Sequence, residues 1–578
     1  MPLAPLSIPP GVVRPATPLQ AKGRYWDANL IRWRSGKLLP VGGWQRITSA
    51  PLASTVRAVF SWTDNDGIPY LAIGCENDLY ILESSAYNDV TPPDYSGPTV
   101  SKVGGYGAYN YSALLYGDDT NATYPRPVSN FNLPVFSWSF DNWGADLLAV
   151  SSSDGRLLHW KTIDSQAHPV GVSDIVDAER VSNVVTVTTE WHHDLTTGDS
   201  ITISGNTESA FNATWTVAST PSATTFTFAS SGSDTTGTGG TCTLQGIPQN
   251  NRAVIVTSER HAVLLGAGGH PRRVAWSSRE DYTDWNFASA TNTAGYLDLD
   301  TQDKLVMCAP VREGTLIWTD NEAWLMRFIG SPYIYSIERI GFGCGLMAPR
   351  SFAVTAGRCI WMGKESFWMY DGGVVKPIPC DVGSYVFDNI DAAAGSLYSH
   401  GSDNGLFPEA WFWFPSPGSS TPDLSVFFNY SEGWWGVGNT MTRTAACGAG
   451  VFDYPIASDQ NNDLFEQENG WTAAGAPIGN ERFAETASLN IQNGSAISFL
   501  RQAITDSGYG YDSTAIEVYS SFTPEGQETV SGPFNPRSDG YTDMRVTGRD
   551  FRMKVMATQD APWSIGEMRI EFMPKGGR

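Results

Sequence analysis

At 578 residues the chain is too long for one ordinary hydrophobic core, and at roughly 100–200 residues per domain it is expected to hold about three or four compact units unless a repeat carries much of it. With 21 Trp, 23 Tyr, 26 Phe, 58 Gly and 35 Pro, the composition favours short strands and tight turns over helices. A formal net charge of −23 argues against a protein that grips nucleic acid, which takes a Lys/Arg-rich surface, but not against one past which DNA slides.

Residues 1–54 read as an extended N-terminal arm. Pro5, Pro9, Pro10, Pro15 and Pro18 disfavour a helix and suggest an open path poor in hydrogen bonds. The arm then turns aromatic and basic, and it cannot bury its own tryptophans. It is expected to pack partly on the body of the protein and partly on a neighbouring subunit, with Arg24, Trp26, Arg32, Trp33 and Trp44 as the candidate interface residues.

From residue 55 a theme recurs: an aromatic strand, a turn, a second apolar strand, another turn. Val56–Trp62 turns at Asp64-Asn65-Asp66-Gly67 into Tyr70–Gly74 and then Leu79–Leu82. Phe136–Trp138 leads to Leu147–Val150 and Leu157–Trp160. Similar pairs follow at 253–256 with 262–265, 316–318 with 323–326, 359–362 with 367–370, and 410–414 with 426–430. Such meanders cannot bury their faces alone, and repetition around an axis solves that problem. The expected fold is all-β: an irregular β-propeller-like body of about six or seven units (55–173 and 248–471) with two further domains. Residues 174–247 break the theme with threonine-rich alternation, as in Val184–Thr189 and Ser200–Ser204, and are expected to form an inserted small β-barrel or sandwich. Residues 472–578 alternate apolar and charged side chains, as in Phe551–Val555 and Met568–Phe572, and are expected to form a C-terminal β-sandwich.

Seven scattered cysteines without a CxxC pair suggest free thiols made in a reducing cytoplasm. Residues 1–20 lack the continuous apolar core of a signal peptide, and no run of about 18 apolar residues suggests a membrane span. No catalytic, cofactor or metal residue is assigned. Trp191-His192-His193-Asp194 is the nearest approach to a metal cluster, yet adjacent residues of a strand face opposite ways. Asp298, Asp300 and Asp303 lack the glycine and terminal glutamate of a calcium loop, and no GxSxG, HExxH or Walker A pattern is present. The chain therefore reads as non-enzymatic, although paired acids for glycan cleavage declare themselves only in three dimensions.

Three stretches carry a resemblance: Gly11–Arg14, Gly23–Trp33 and Val41–Trp44 resemble the N-terminus of phage tail proteins, Gly198–Gly205 with Thr224–Phe228 is similar to a small β-module that decorates phage virion proteins, and Thr547–Arg552 with Trp563–Gly566 resembles the closing strands of the same group. The resemblance is to the tail nozzle (tail tubular or hub) family. It implies a virion structural protein, made in the host cytoplasm, that forms a homo-oligomeric ring, expected to be hexameric. The ring would extend the DNA channel beneath the portal and adaptor, retain packaged DNA without binding it specifically, and dock fibre or spike proteins. The alternative expectation is a receptor-binding or glycan-cleaving tail protein.

Overall fold

Seven four-stranded antiparallel sheets dominate the described chain, each a meander of consecutive strands except the last. The computed structural model describes residues 3–14, 20–48, 50–83, 86–98, 136–489, 496–523 and 526–576. The first strands of the sheets are Val56–Thr63, Trp138–Trp143, Ala253–Val256, Leu305–Val311, Phe352–Thr355, His400–Asp403 and Ala445–Cys447. Each neighbours the next, and the seventh returns to the first, so the sheets are the blades of a closed seven-bladed propeller.

Local chemistry explains the blades. In blade 1 the Asp64 carboxylate accepts N–H donors from Asp66 (2.9 Å) and Ile68 (2.8 Å), and Gly67 takes a φ of 83°, which makes the expected hairpin turn. In blade 6 every residue of Glu409–Phe414 is buried, because the sheet lies between two others and both its faces are covered. All seven cysteines are free thiols, five of them buried.

The seventh blade takes only three strands from its own region, ending at Leu464–Gln467. Its outer strand is Trp44–Arg46, paired antiparallel as Gln467↔Trp44, Glu466↔Gln45 and Phe465↔Arg46. The N-terminal region thus closes the ring and covers what would otherwise be an open sheet edge. Gly42 and Gly43 are required just before this strand. A Cβ on Gly43 would lie 2.3 Å from the Thr472 carbonyl oxygen, and one on Gly42 2.6 Å from the Glu468 carboxylate.

The rest of the N-terminal region is not an open arm. Leu3–Leu6 and Lys37–Pro40 pair with Ser564–Gly576, Ile31–Arg34 pairs with Lys37–Pro40, and Tyr25–Asn29 pairs with Phe483–Thr486. Six- and five-stranded sheets built from both ends of the sequence make the expected sandwich, which shares one apolar core with blades 5, 6 and 7. Pro5 is tolerated because it lies in a strand at the sheet margin, where a missing N–H is harmless; Pro15 and Pro18 lie outside the described residues.

Between blades 2 and 3 the strands Val172–Val181, Val184–Thr189, Thr225–Ala229, Thr214–Ser222, Ser200–Ser204 and Thr241–Leu244 pair in sequence, and the sixth returns to the first. The insertion is therefore a closed six-stranded barrel. Its alternation is the one visible in the sequence: Val185, Val187, Ile201, Ile203, Phe226 and Phe228 fill the interior while threonines face out. Its core is continuous with apolar residues of blades 2 and 3, among them Leu148, Leu157, Val254 and Leu264.

One ionic cluster ties these parts together. Arg32, 3% exposed, donates from Nε to Glu409 Oε1 (2.9 Å) and from Nη2 to Glu409 Oε2 (3.0 Å), and also pairs with Glu468. Burial pushes Glu468 up, but Arg32, the Gly42 N–H and the Asn404 amide outweigh it, and its carboxyl sits below the usual range. Glu409 gains fewer such donors, and burial holds its carboxyl above the usual range. Removing one member of a buried ionic cluster leaves its partners unpaired, at a cost of about 3–5 kcal/mol. Arg32→Met is expected to lower the denaturation midpoint followed by tryptophan fluorescence, and adding Glu409→Gln and Glu468→Gln to recover most of the loss. A midpoint unchanged in the single variant would show that the cluster stabilises nothing.

Candidate functional site: the basic mouth of the propeller channel

The five residues expected at an interface divide into two groups. Arg32, Trp33 and Trp44 are buried within the chain itself. Trp33 lies against Tyr25 (5.3 Å between ring centroids) and Trp434 (5.2 Å), and Trp44 lies under the Arg443 guanidinium at 4.8 Å. Arg24 and Trp26 keep partial exposure, and Arg24 reaches Asp381 at 3.6 Å. The physical reason is that the C-terminal strands offer open edges, which the aromatic N-terminal strands cover within the same subunit.

His192 and His193 are not brought to one ion. His193 is buried, with Nε2 3.0 Å from the Ser222 carbonyl and Nδ1 accepting the Leu195 N–H (3.0 Å). His192 faces Asp164 (3.3 Å). Together with His159 and Lys161, both on Asp194 (3.2 and 2.7 Å), these groups fasten the barrel to blade 2. Asp298 is paired with Arg273 (2.8 Å) and Asp303 accepts from the Thr319 hydroxyl (3.3 Å). Among the described residues, no group of three or more His, Cys, Asp or Glu is placed to hold a metal ion.

The innermost strands are stitched by side chains. The Ser139 hydroxyl donates to the Val254 carbonyl (2.7 Å) and accepts from the Val254 N–H (3.1 Å), while the Asp141 carboxylate accepts the Val256 N–H (2.7 Å). Burial raises the Asp141 carboxyl to about 6 despite that bond. Arg350, at the start of blade 5, reaches the Val59 carbonyl of blade 1 (3.4 Å), although those blades are not neighbours. Its guanidinium therefore crosses the propeller axis, and burial lowers its pKa.

The feature that sequence reasoning missed lies where the inner strands begin. Arg57, Arg350 and His400 line one small hollow there. Arg57 pairs with Glu76 (2.6 Å) and covers the Tyr398 ring at 4.2 Å. Beside it, sharing Pro349, is a pocket of about 210 Å³ lined by Arg252, Lys304 and Lys364, with Asp320 as its one lining carboxylate among the described residues. Lys304 is 3.9 Å from Asp320, whereas Arg252 and Lys364 have no carboxylate partner among the described residues. In a chain of net charge −23 this concentration of cations is a local reversal of sign. The signal was present in the sequence: Arg57, Arg252, Lys304 and Arg350 each stand within two residues of the start of a blade's first strand.

No protein-family model matches the chain, and no curated protein matches it. Among solved structures it is similar to the WD40 domain of Pan2 from Neurospora crassa, at 10% identity over 58% of this chain and 88% of that one, with a TM-score of 0.28. It is similar to an endosialidase of phage phi92 at 12% identity over 88% and 79%, TM-score 0.26. A third is an exo-β-1,3-galactanase from Phanerochaete chrysosporium, with galactose, at 10% identity over 92% and 100%, TM-score 0.22. Likenesses this distant leave the propeller to rest on the strand pairings above, and the function on the chain's own residues.

The Asp141 stitch makes a pH dependence. Its carboxyl titrates higher in the fold than in the unfolded chain, so its contribution is most favourable below the ordinary aspartate range and is lost as pH rises through about 6. Asp141→Asn keeps an acceptor for the Val256 N–H and removes the titration. The difference in melting temperature, native minus variant, is expected to grow in favour of the native chain as pH falls from 7.5 to 4.5. A difference independent of pH would show that Asp141 is not desolvated.

Proposed function

We propose that the chain is a structural protein of a phage tail whose subunits assemble into a ring, the nozzle reading. The observation that carries the assembly is a hairpin in blade 4. Its strands Glu322–Gly330 and Ile334–Phe342 outrun the neighbouring strand Gly314–Thr319, which pairs only as far as Met326. The overhang presents Phe328, Ile329 and Tyr333 to solvent, the last 76% exposed. Projecting apolar side chains of this size suit burial against another subunit. The resemblance in sequence at the sandwich strands and the barrel supports the phage assignment. A DNA lumen would lie between subunits, because Arg350 crosses the propeller's own axis. The acidic balance would keep such a wall from holding the phosphate backbone.

A second reading, a receptor-binding or glycan-cleaving tail protein, is favoured by the concave cationic pocket at the channel mouth. Native mass spectrometry and negative-stain microscopy separate the two. The nozzle reading expects a ring with a hole wide enough for duplex DNA, alone or with an adaptor protein added, and a shift to monomer in Phe328→Ser/Ile329→Ser/Tyr333→Ser. A channel-less monomer or compact trimer would remove it in favour of the second reading.

A further inference from the structure

We propose that the pocket at the channel mouth binds one acidic saccharide unit, a sugar ring that carries a carboxylate. This names a ligand for the site that favours the second reading, but it does not depend on cleavage or on a ring.

Two chemical demands meet in the pocket. Arg252 and Lys364 bring positive charge without a carboxylate partner among the described residues, and Lys304 adds a third cation shared with Asp320. A ligand must therefore be anionic to meet them. The serines ask for something else. Ser137 donates its hydroxyl hydrogen to the Trp138 carbonyl (3.1 Å), and Ser396 donates its own to the Ala393 carbonyl (2.9 Å). Ser137 is buried, but Ser396 keeps partial exposure and its oxygen is left as an acceptor, so a well-matched ligand also brings an O–H donor. A phosphodiester backbone has none to offer, whereas a sugar has several.

Size and apolar lining narrow the class further. About 210 Å³ is below the roughly 300 Å³ at which drug-sized sites begin, which suits a single ring better than an oligomer. Met347 and Pro349 form an apolar wall against which the C–H face of a sugar ring can lie. The adjoining hollow adds Arg350, which has no carboxylate partner among the described residues, and Arg57, whose charge is shared with Glu76, so the positive balance around the pocket favours anions most at low salt.

The test is saturation-transfer NMR on the full chain with D-glucuronate and N-acetylneuraminate, each competed with D-glucose, inorganic phosphate and a short DNA duplex. The expected result is transfer to the acidic sugars, none to glucose, no displacement by the duplex, and binding that weakens with salt. Arg252→Ala and Lys364→Ala are each expected to weaken binding by about tenfold or more, with the melting temperature used to confirm folding. Absence of transfer to both acidic sugars, equal transfer to glucose, displacement by phosphate or DNA at matched concentration, or unchanged binding in folded variants would each overturn the assignment. A parallel assay for new reducing ends on an acidic polysaccharide reads the cleaving role separately. Binding without hydrolysis supports the pocket and removes cleavage; hydrolysis without binding by these units overturns the pocket and leaves cleavage standing.

Discussion

The arrangement of the chain depends on one long-range constraint: the segment around Arg32–Arg46 must reach blades 6 and 7 before the propeller can close. Arg32 bridges Glu409 at the start of a blade 6 strand and Glu468 just after the third strand of blade 7. Fourteen positions later Arg46 ends the strand that completes blade 7. The same segment supplies strands to the sandwich, so ring closure and the sandwich share one stretch of chain. Loop-closure entropy grows only slowly with length, so a separation of some four hundred residues is thermodynamically tolerable once the buried contacts form. Its kinetic consequence is that blade 7 and the sandwich, which pair distant segments, form more slowly than the meanders of blades 1 to 6, which pair consecutive strands.

What the sequence made legible follows from this distinction between local and distant pairing. Blades 1 to 6 announce themselves because each pairs consecutive strands across short turns, with aromatic residues such as Trp361 and Trp368 opposite one another. The barrel is legible for the same reason, since alternation alone separates its wet and dry faces. Blade 7 is faint because its strands Ala445–Cys447, Ile456–Ser458 and Leu464–Gln467 are three or four residues long and the fourth comes from the other end of the chain. The N-terminal region was misread as an open arm for a related reason. Its composition is a local fact, whereas the partners of its strands lie more than four hundred residues away, at Leu464–Gln467 for Trp44–Arg46 and beyond residue 480 for Leu3–Leu6 and Tyr25–Asn29.

The functional residues show the same limit. Arg24, Trp26, Arg32, Trp33 and Trp44 were conspicuous as a dense aromatic and basic run, yet density measured the need for burial more than exposure to a partner. By contrast, Arg252, Lys304 and Lys364 are unremarkable one at a time and are gathered only by the closed ring. A propeller brings the first residue of every inner strand to one mouth, so a property repeated at that position becomes a surface. Arg57, Arg252, Lys304 and Arg350 share that position in blades 1, 3, 4 and 5.

The geometry also separates the two surfaces on which a function is argued. In a four-stranded meander the first and third strands run the same way. Lys304 immediately precedes the first strand of blade 4, and Asp320 stands just before the third, so both belong to the mouth. The apolar overhang lies at the far end of that third strand and therefore on the opposite face. A subunit held through Phe328, Ile329 and Tyr333 would keep its cationic pocket clear of that contact. The sign of the charge reinforces the separation: in a chain of net charge −23 the cationic pocket is a local reversal of sign, which sets it apart from an apolar contact surface. Assembly and capture of an anionic ligand are thus compatible within one rigid subunit, each with its own face and its own physical driving force.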